Sequence, residues 1–135
     1  MNNSDENNIL SSPAFYNREL SWIDFNERVL GEGLKKELPP LERFKFLSIV
    51  SSNFDEFFMV RVAAIKQAMD KDTDISGISS GELLEKIYRK VRSIISRQYD
   101  AFINEVFPDL ASWGLCLKRP KDWSASQRDY LESFF

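Results

Sequence analysis

Apolar residues recur along this chain at spacings of three and four, the mark of helices that each lay one face on a shared core. From Ser21 to about Gly33, Trp22, Phe25, Val29 and Ile23, Leu30, Leu34 give a wide apolar face. Ser21 with Asp24 three residues on predicts a capping box at its start, and Asp24 with Arg28 a favourable pair one turn apart. Pro39-Pro40 opens a second helix, proline being tolerated in a first turn, with the face Leu41, Phe44, Leu47, Val50. A polar break follows at Ser51-Ser52-Asn53. These are helix-capping residues, and Asp55 and Glu56 complement the positive end of a helix dipole. A third helix is therefore predicted from about Asn53 to Met69, on Phe54, Phe58, Val62, Ile65 and Met69. It is apolar nearly all round, which assigns it the centre of a bundle. Free N–H groups at such a start hold a polar ligand, or the break is a plain helix–helix corner.

Asp70–Ser80 reads as a loop. Asp70, Asp72 and Asp74 alternate as in a calcium loop, but Ile75 stands where that loop needs Gly and Gly81 where it needs Glu, so a solvated acidic loop is expected. Ser79 with Glu82 is a capping box for a long fourth helix, on Leu84, Ile87, Val91, Ile94, Gln98 and Ala101. From Gly81 to Glu105 it would be about 38 Å long. Glu82→Lys86 and Glu85→Arg89 are spaced as supporting pairs. Pro108 disfavours helix at Phe107 and predicts a kink or break there. Trp113-Gly114 is a C-cap signal, Leu115–Lys118 a short strand, and Arg119-Pro120 a turn. Ser124 with Gln127 caps a last helix still running at Phe134-Phe135, as expected of a stretch cut from a larger protein. The fold class expected is all-α: a bundle of four main helices with a C-terminal stub entering a second domain. Residues 1–14 read as a disordered tail, polar and unable to bury enough apolar surface.

Composition narrows the function classes. Hydrophobic residues make up 43% of the 135 residues, with 11 Phe, which suits a globular core and not a disordered chain. A net charge of −3 offers no overall basic field for nucleic acid. The single cysteine, Cys116, rules out an intrachain disulfide. No apolar run approaches the roughly 20 residues that span a bilayer, and no secretion signal is present, so a cytoplasmic setting is expected. There is no histidine, which removes the commonest general base and metal ligand from these residues. Nor is there a Walker-type loop, a Cys or His metal cluster or a Ser-His-Asp set.

Three stretches are distinctive: Asn17-Arg18-Glu19-Leu20-Ser21-Trp22-Ile23-Asp24-Phe25-Asn26-Glu27-Arg28-Val29-Leu30, Leu41-Glu42-Arg43-Phe44-Lys45-Phe46-Leu47, and Ser51-Ser52-Asn53-Phe54-Asp55-Glu56-Phe57-Phe58-Met59-Val60-Arg61-Val62. Together they resemble the N-terminal domain of bacterial polyphosphate kinase of the phosphohistidine type, which synthesises long chains. The resemblance covers residues 15–113, and 114–135 look like a linker and the truncated start of the next domain. It implies an enzyme that reversibly transfers the terminal phosphate of ATP to polyphosphate through a phosphohistidine with Mg2+. The histidine and the metal ligands would lie outside this stretch, which alone would be inactive. The domain would close the base side of the nucleotide pocket, and Asn53 occupies the family position that contacts the base. An amide both donates to and accepts from a base edge. The resemblance also implies a homo-oligomer, a cytoplasmic enzyme with peripheral membrane association, and ATP, polyphosphate and the rest of the same chain as partners, without nucleic acid.

Other candidates weigh differently. Adjacent Asp55 and Glu56 diverge on a helix and do not form a catalytic pair. Lys86, Arg89, Lys90, Arg92 and Arg97 form a basic face on the long helix, either an ordinary solvated face or a track for a polyanion. Arg61 interrupts apolar surroundings and calls for a structural carboxylate or carbonyl partner. Trp22, Phe57 and Phe58 are expected in the core, not as a base-stacking platform. The competing reading of the whole is a helical assembly module with no ligand of its own.

Overall fold

The structure, a computed structural model, describes residues 17–69 and 78–135. The tail, residues 15 and 16, and most of the acidic loop, with Asp70, Asp72 and Asp74, lie outside the described residues. The expected all-α bundle is what the chain forms. Helix α1 (Arg18–Gly33) starts one turn earlier than the capping pattern suggests: Asn17, not Ser21, is its cap, its Oδ1 accepting from the N–H groups of Glu19 (2.9 Å) and Leu20 (3.3 Å). Its buried stripe is Leu20, Ile23, Asn26, Leu30 and Gly33. Phe25 is exposed, with the Arg28 guanidinium over its ring.

Helix α2 (Pro40–Phe57) begins at the double proline as expected. It does not stop at Ser51-Ser52-Asn53. A π-helical turn (Phe58–Val62) and α3 (Ala63–Met69) continue it, so the predicted corner is a stretch of unbroken helix. Asp55 and Glu56 accordingly lie far from any helix start and complement no dipole end. The reason is phase: Val50 and Phe54 are four apart, so Leu47, Val50, Phe54 and Phe57 form one buried stripe with no interruption. Serine and asparagine cost only a few tenths of a kcal/mol each inside a helix, roughly, and no Gly or Pro intervenes. Nor is the third segment central: Met59 and Val60 are exposed, and α3 buries no residue.

Helix α4 (Ser80–Ala101) carries the expected Ser79–Glu82 capping box and buries Leu84, Ile87, Val91, Ile94, Gln98 and Ala101. Glu82 is taken up by that box, while Glu85 and Arg89 pair at 2.7 Å. Pro108 does not break the helix. A second π-helical turn (Phe102–Val106) leads into α5 (Phe107–Ser112), with Phe107 itself helical at φ −67°, ψ −44°. Proline lacks an N–H and crowds the carbonyl one turn back, and the wider turn accommodates both defects. Both π-turns fall where consecutive buried residues are five apart, Phe57 to Val62 and Ala101 to Val106. The extra residue keeps the apolar stripe on the core.

Gly114 closes α5 at φ +92°, with Leu115 N–H donating to Leu110 O and Gly114 N–H to Ala111 O, each at 3.0 Å. This is the paired hydrogen bonding of a Schellman C-cap. Residues 115–118 are not a strand; no second strand among the described residues offers them a ladder. A 3-10 turn (Pro120–Asp122) and α6 (Ala125–Phe134), capped by Ser124 and Gln127, follow. None of these last residues is buried.

The core is built from α1, α2 and α4, with Ile23, Leu30, Val50, Ile87 and Val106 wholly buried. Trp22 stacks on Phe57 at 4.6 Å and 10° and meets Phe54 edge-on at 6.0 Å, so these aromatics are structural, as expected. Helix α1 lies close against α2 at Gly33, where a Cβ would stand 3.0 Å from Leu47 Cδ2 and 3.1 Å from Phe46 Cβ.

Candidate functional site

Asn53 sits half-buried in the interior of α2, so every backbone N–H around it is spent inside a helix. A free helix end is not available there, and only side chains can serve a ligand. Its Nδ2 donates to Asn26 Oδ1 at 2.7 Å. Asn26 is wholly buried, and its own Nδ2 donates to the Trp22 carbonyl at 3.1 Å. Asn53 Oδ1 makes no hydrogen bond among the described residues. Since no buried side-chain polar atom among them lacks a partner, this oxygen reaches the surface.

The same helix is held from the other side. Gln98 of α4, almost wholly buried, donates from Nε2 to Leu47 O and to Ser51 Oγ, each at 2.7 Å. Asn53 thus stands on a segment tied to both neighbours. A small cleft of about 160 Å³ opens beside Gln98, lined by Phe44, Leu47, Ser48, Ser51, Tyr99 and Phe102. Asn26 was hidden in plain sight in the sequence: it falls in phase with Leu20, Ile23 and Leu30, a polar residue on an apolar stripe, which demands a buried partner.

Arg43 is the third polar residue in the core, 2% exposed. Its Nε donates to Gly33 O at 2.9 Å, satisfying a carbonyl at the end of α1, and its Nη2 donates to Glu105 Oε2 at 2.6 Å. Lys36 adds a second contact to Glu105 at 3.3 Å. The π-turn carries Glu105 to this junction of α1, α2 and α4. The hydrogen bond from Arg43 holds the Glu105 carboxyl below its ordinary value of 4.5, against a smaller opposing effect of burial and with help from Lys36. A lowered pKa contributes stability that is present above 4.5 and lost as pH falls through the folded value below it. Glu105→Gln is expected to melt lower than the parent at neutral pH, with the gap narrowing as the pH drops below 4.5; thermal melts across that range check it.

On the basic face, Lys90 pairs with Asp24 of α1, Arg97 with Glu27 at 2.5 Å, and Arg89 with Glu85. Lys86 and Arg92 form no ion pair among the described residues. Arg61 finds the carboxylate it called for, Glu19 at 3.9 Å. Among the described residues no three carboxylate or cysteine side chains converge.

Comparison with known proteins sets this geometry in context. The family profile described as the polyphosphate kinase N-terminal domain matches residues 15–117. The chain is 43% identical to the polyphosphate kinase of Bacillus cereus over 131 residues, which is 93% of this chain and 19% of that protein. It is 42% identical to that of Prosthecochloris aestuarii, over 92% of this chain and 18% of the relative, and 42% identical to that of Synechocystis sp., over 91% and 17%. The chain therefore spans less than a fifth of the length of these relatives. No solved structure matches it significantly. With a profile matched over most of its length, the chain belongs to the polyphosphate kinase N-terminal domain family.

Proposed function

We propose that this domain forms the base-side wall of the ATP pocket in a polyphosphate kinase, with Asn53 contacting the base. The enzyme would reversibly transfer the terminal phosphate of ATP to polyphosphate. The observation that carries the reading is the surface oxygen of Asn53, a hydrogen-bonding group with no internal partner, on a side chain whose other end is fixed inside the bundle. A group held this rigidly orients a base at little entropic cost, leaving phosphate chemistry to domains outside this stretch. The phosphoryl-carrying histidine would belong to those domains, since the chain contains no histidine, and the same proposal assigns the Mg2+ ligands to them. A homo-oligomeric state and a cytoplasmic setting are parts of the same proposal. A polyphosphate chain meeting the basic face of α4 would find Lys86 and Arg92 open, and would compete with Glu85, Asp24 and Glu27 for the other three cations.

The test is Asn53→Ala in the full-length enzyme. Loss of one hydrogen bond is expected to raise the apparent KM for ATP roughly three- to tenfold. Asn26 Oδ1 also loses its donor, so the melting temperature falls, but KM does not depend on the folded fraction. Unchanged ATP dependence with altered subunit association would instead support the assembly module, for which exposed Met59, Val60 and Ile103 offer apolar surface.

A further inference from the structure

We infer that Asn26 is a positioning residue that fixes Asn53 as a hydrogen-bond acceptor toward the base, and thereby selects a 6-aminopurine over a 6-oxopurine. The inference rests on the base-contact reading above and adds to it the orientation of the contact. The orientation follows from three groups in series. The Trp22 carbonyl can only accept, so the Asn26 end facing it is Nδ2, at 3.1 Å. The other end of the Asn26 amide is then an oxygen, which can only accept, so Asn53 must meet it with Nδ2, at 2.7 Å. What Asn53 turns outward is its carbonyl oxygen.

Asn26 cannot relax this choice. It is 0% exposed, so flipping its amide would set oxygen against the Trp22 oxygen; even with Asn53 turned to match, that hydrogen bond is lost and two acceptors face each other inside the bundle. An asparagine standing alone at the surface would behave differently, since it can rotate its amide and serve either a donor or an acceptor. Adenine carries an amino donor at position six and guanine a carbonyl acceptor. An outward oxygen that cannot be exchanged for an N–H complements the first and repels the second.

The experiment compares kcat/KM for ATP and for GTP in the full-length enzyme bearing Asn26→Leu or Asn26→Asp. Leucine is close in size but offers Asn53 no partner, which frees its amide to turn. A buried aspartic acid is favoured in its neutral form, whose hydroxyl can donate to Trp22 O while its carbonyl accepts from Asn53, preserving the pattern. The ATP-to-GTP ratio is expected to fall roughly three- to tenfold in the leucine variant and to stay within about twofold of the parent in the aspartate variant. The ratio is taken within one preparation, so it is independent of how much of the enzyme is folded, and Asn26→Ala serves as a second unpartnered variant. A merely structural role for Asn26 would lower both kcat/KM values together and leave the ratio unchanged. That outcome, alongside an Asn53→Ala enzyme with weakened ATP use, overturns the inference and spares the base contact. An Asn53→Ala enzyme with unaltered KM for ATP overturns both.

Discussion

Phe57→Ala is expected to destabilise this domain by about 3–5 kcal/mol, the range for removing a buried phenylalanine ring. Phe57 is 2% exposed and is the hub of the aromatic cluster: Trp22 lies flat on it, and Phe54 and Phe58 meet it nearly at right angles. Truncation removes the ring's transfer free energy and leaves a cavity. The helices around it cannot collapse into that space, because Gly33 against Leu47 and Gln98 against Leu47 O already set their spacing. For a domain of this size the melting temperature should drop on the order of 15 °C. Phe57→Leu, which keeps most of the volume, should cost less than about 1.5 kcal/mol. Urea unfolding with an unchanged slope and a lowered midpoint would attribute the loss to the folded state. A loss below about 1 kcal/mol for the alanine variant would mean that the cluster packs loosely.

The second large effect is expected from Arg43→Ala, at about 3 kcal/mol. Three losses coincide at this residue. The Gly33 carbonyl loses its donor, Glu105 keeps only Lys36, and the buried stem of the arginine leaves a void. Glu105 is partly exposed, so its stranded charge can still draw on water, and this keeps the figure from being larger. Arg43→Lys should recover only part of the loss. Its single ammonium cannot reach a carbonyl and a carboxylate on different helices with the fork geometry of a guanidinium. Equal stability of the lysine variant and the parent would show that charge alone matters at this junction.

Much of the fold was legible in the residues. The heptad-like series on α4 is buried position by position, because its spacing stays within three and four throughout. The capping boxes at Ser79 and Ser124 and the glycine that closes α5 are local chemistry, satisfied within a few residues, so they read correctly without knowledge of the rest. Ser51-Ser52-Asn53 misled for the converse reason. Capping residues are also tolerated inside a helix, and whether they cap or continue is decided by the helices packed alongside. Here Gln98 draws Ser51 and Asn26 draws Asn53 into side-chain bonds that a helix interior permits.

The candidate site was legible only as a residue. Asn53 stood out through its resemblance to a family motif, while its partner Asn26 lies 27 positions earlier on another helix. Likewise Arg43 and Glu105, 62 positions apart, carry no mutual signal along the chain. By itself the order of residues determined helical class, the main apolar stripes and the local caps, since these depend on contacts within one or two turns. Only the tertiary structure decided that two predicted helices are one rod, that its wide turns keep the stripe facing inward, and which end of the Asn53 amide faces out. Those depend on contacts between distant segments, and such contacts exist only once the helices have packed.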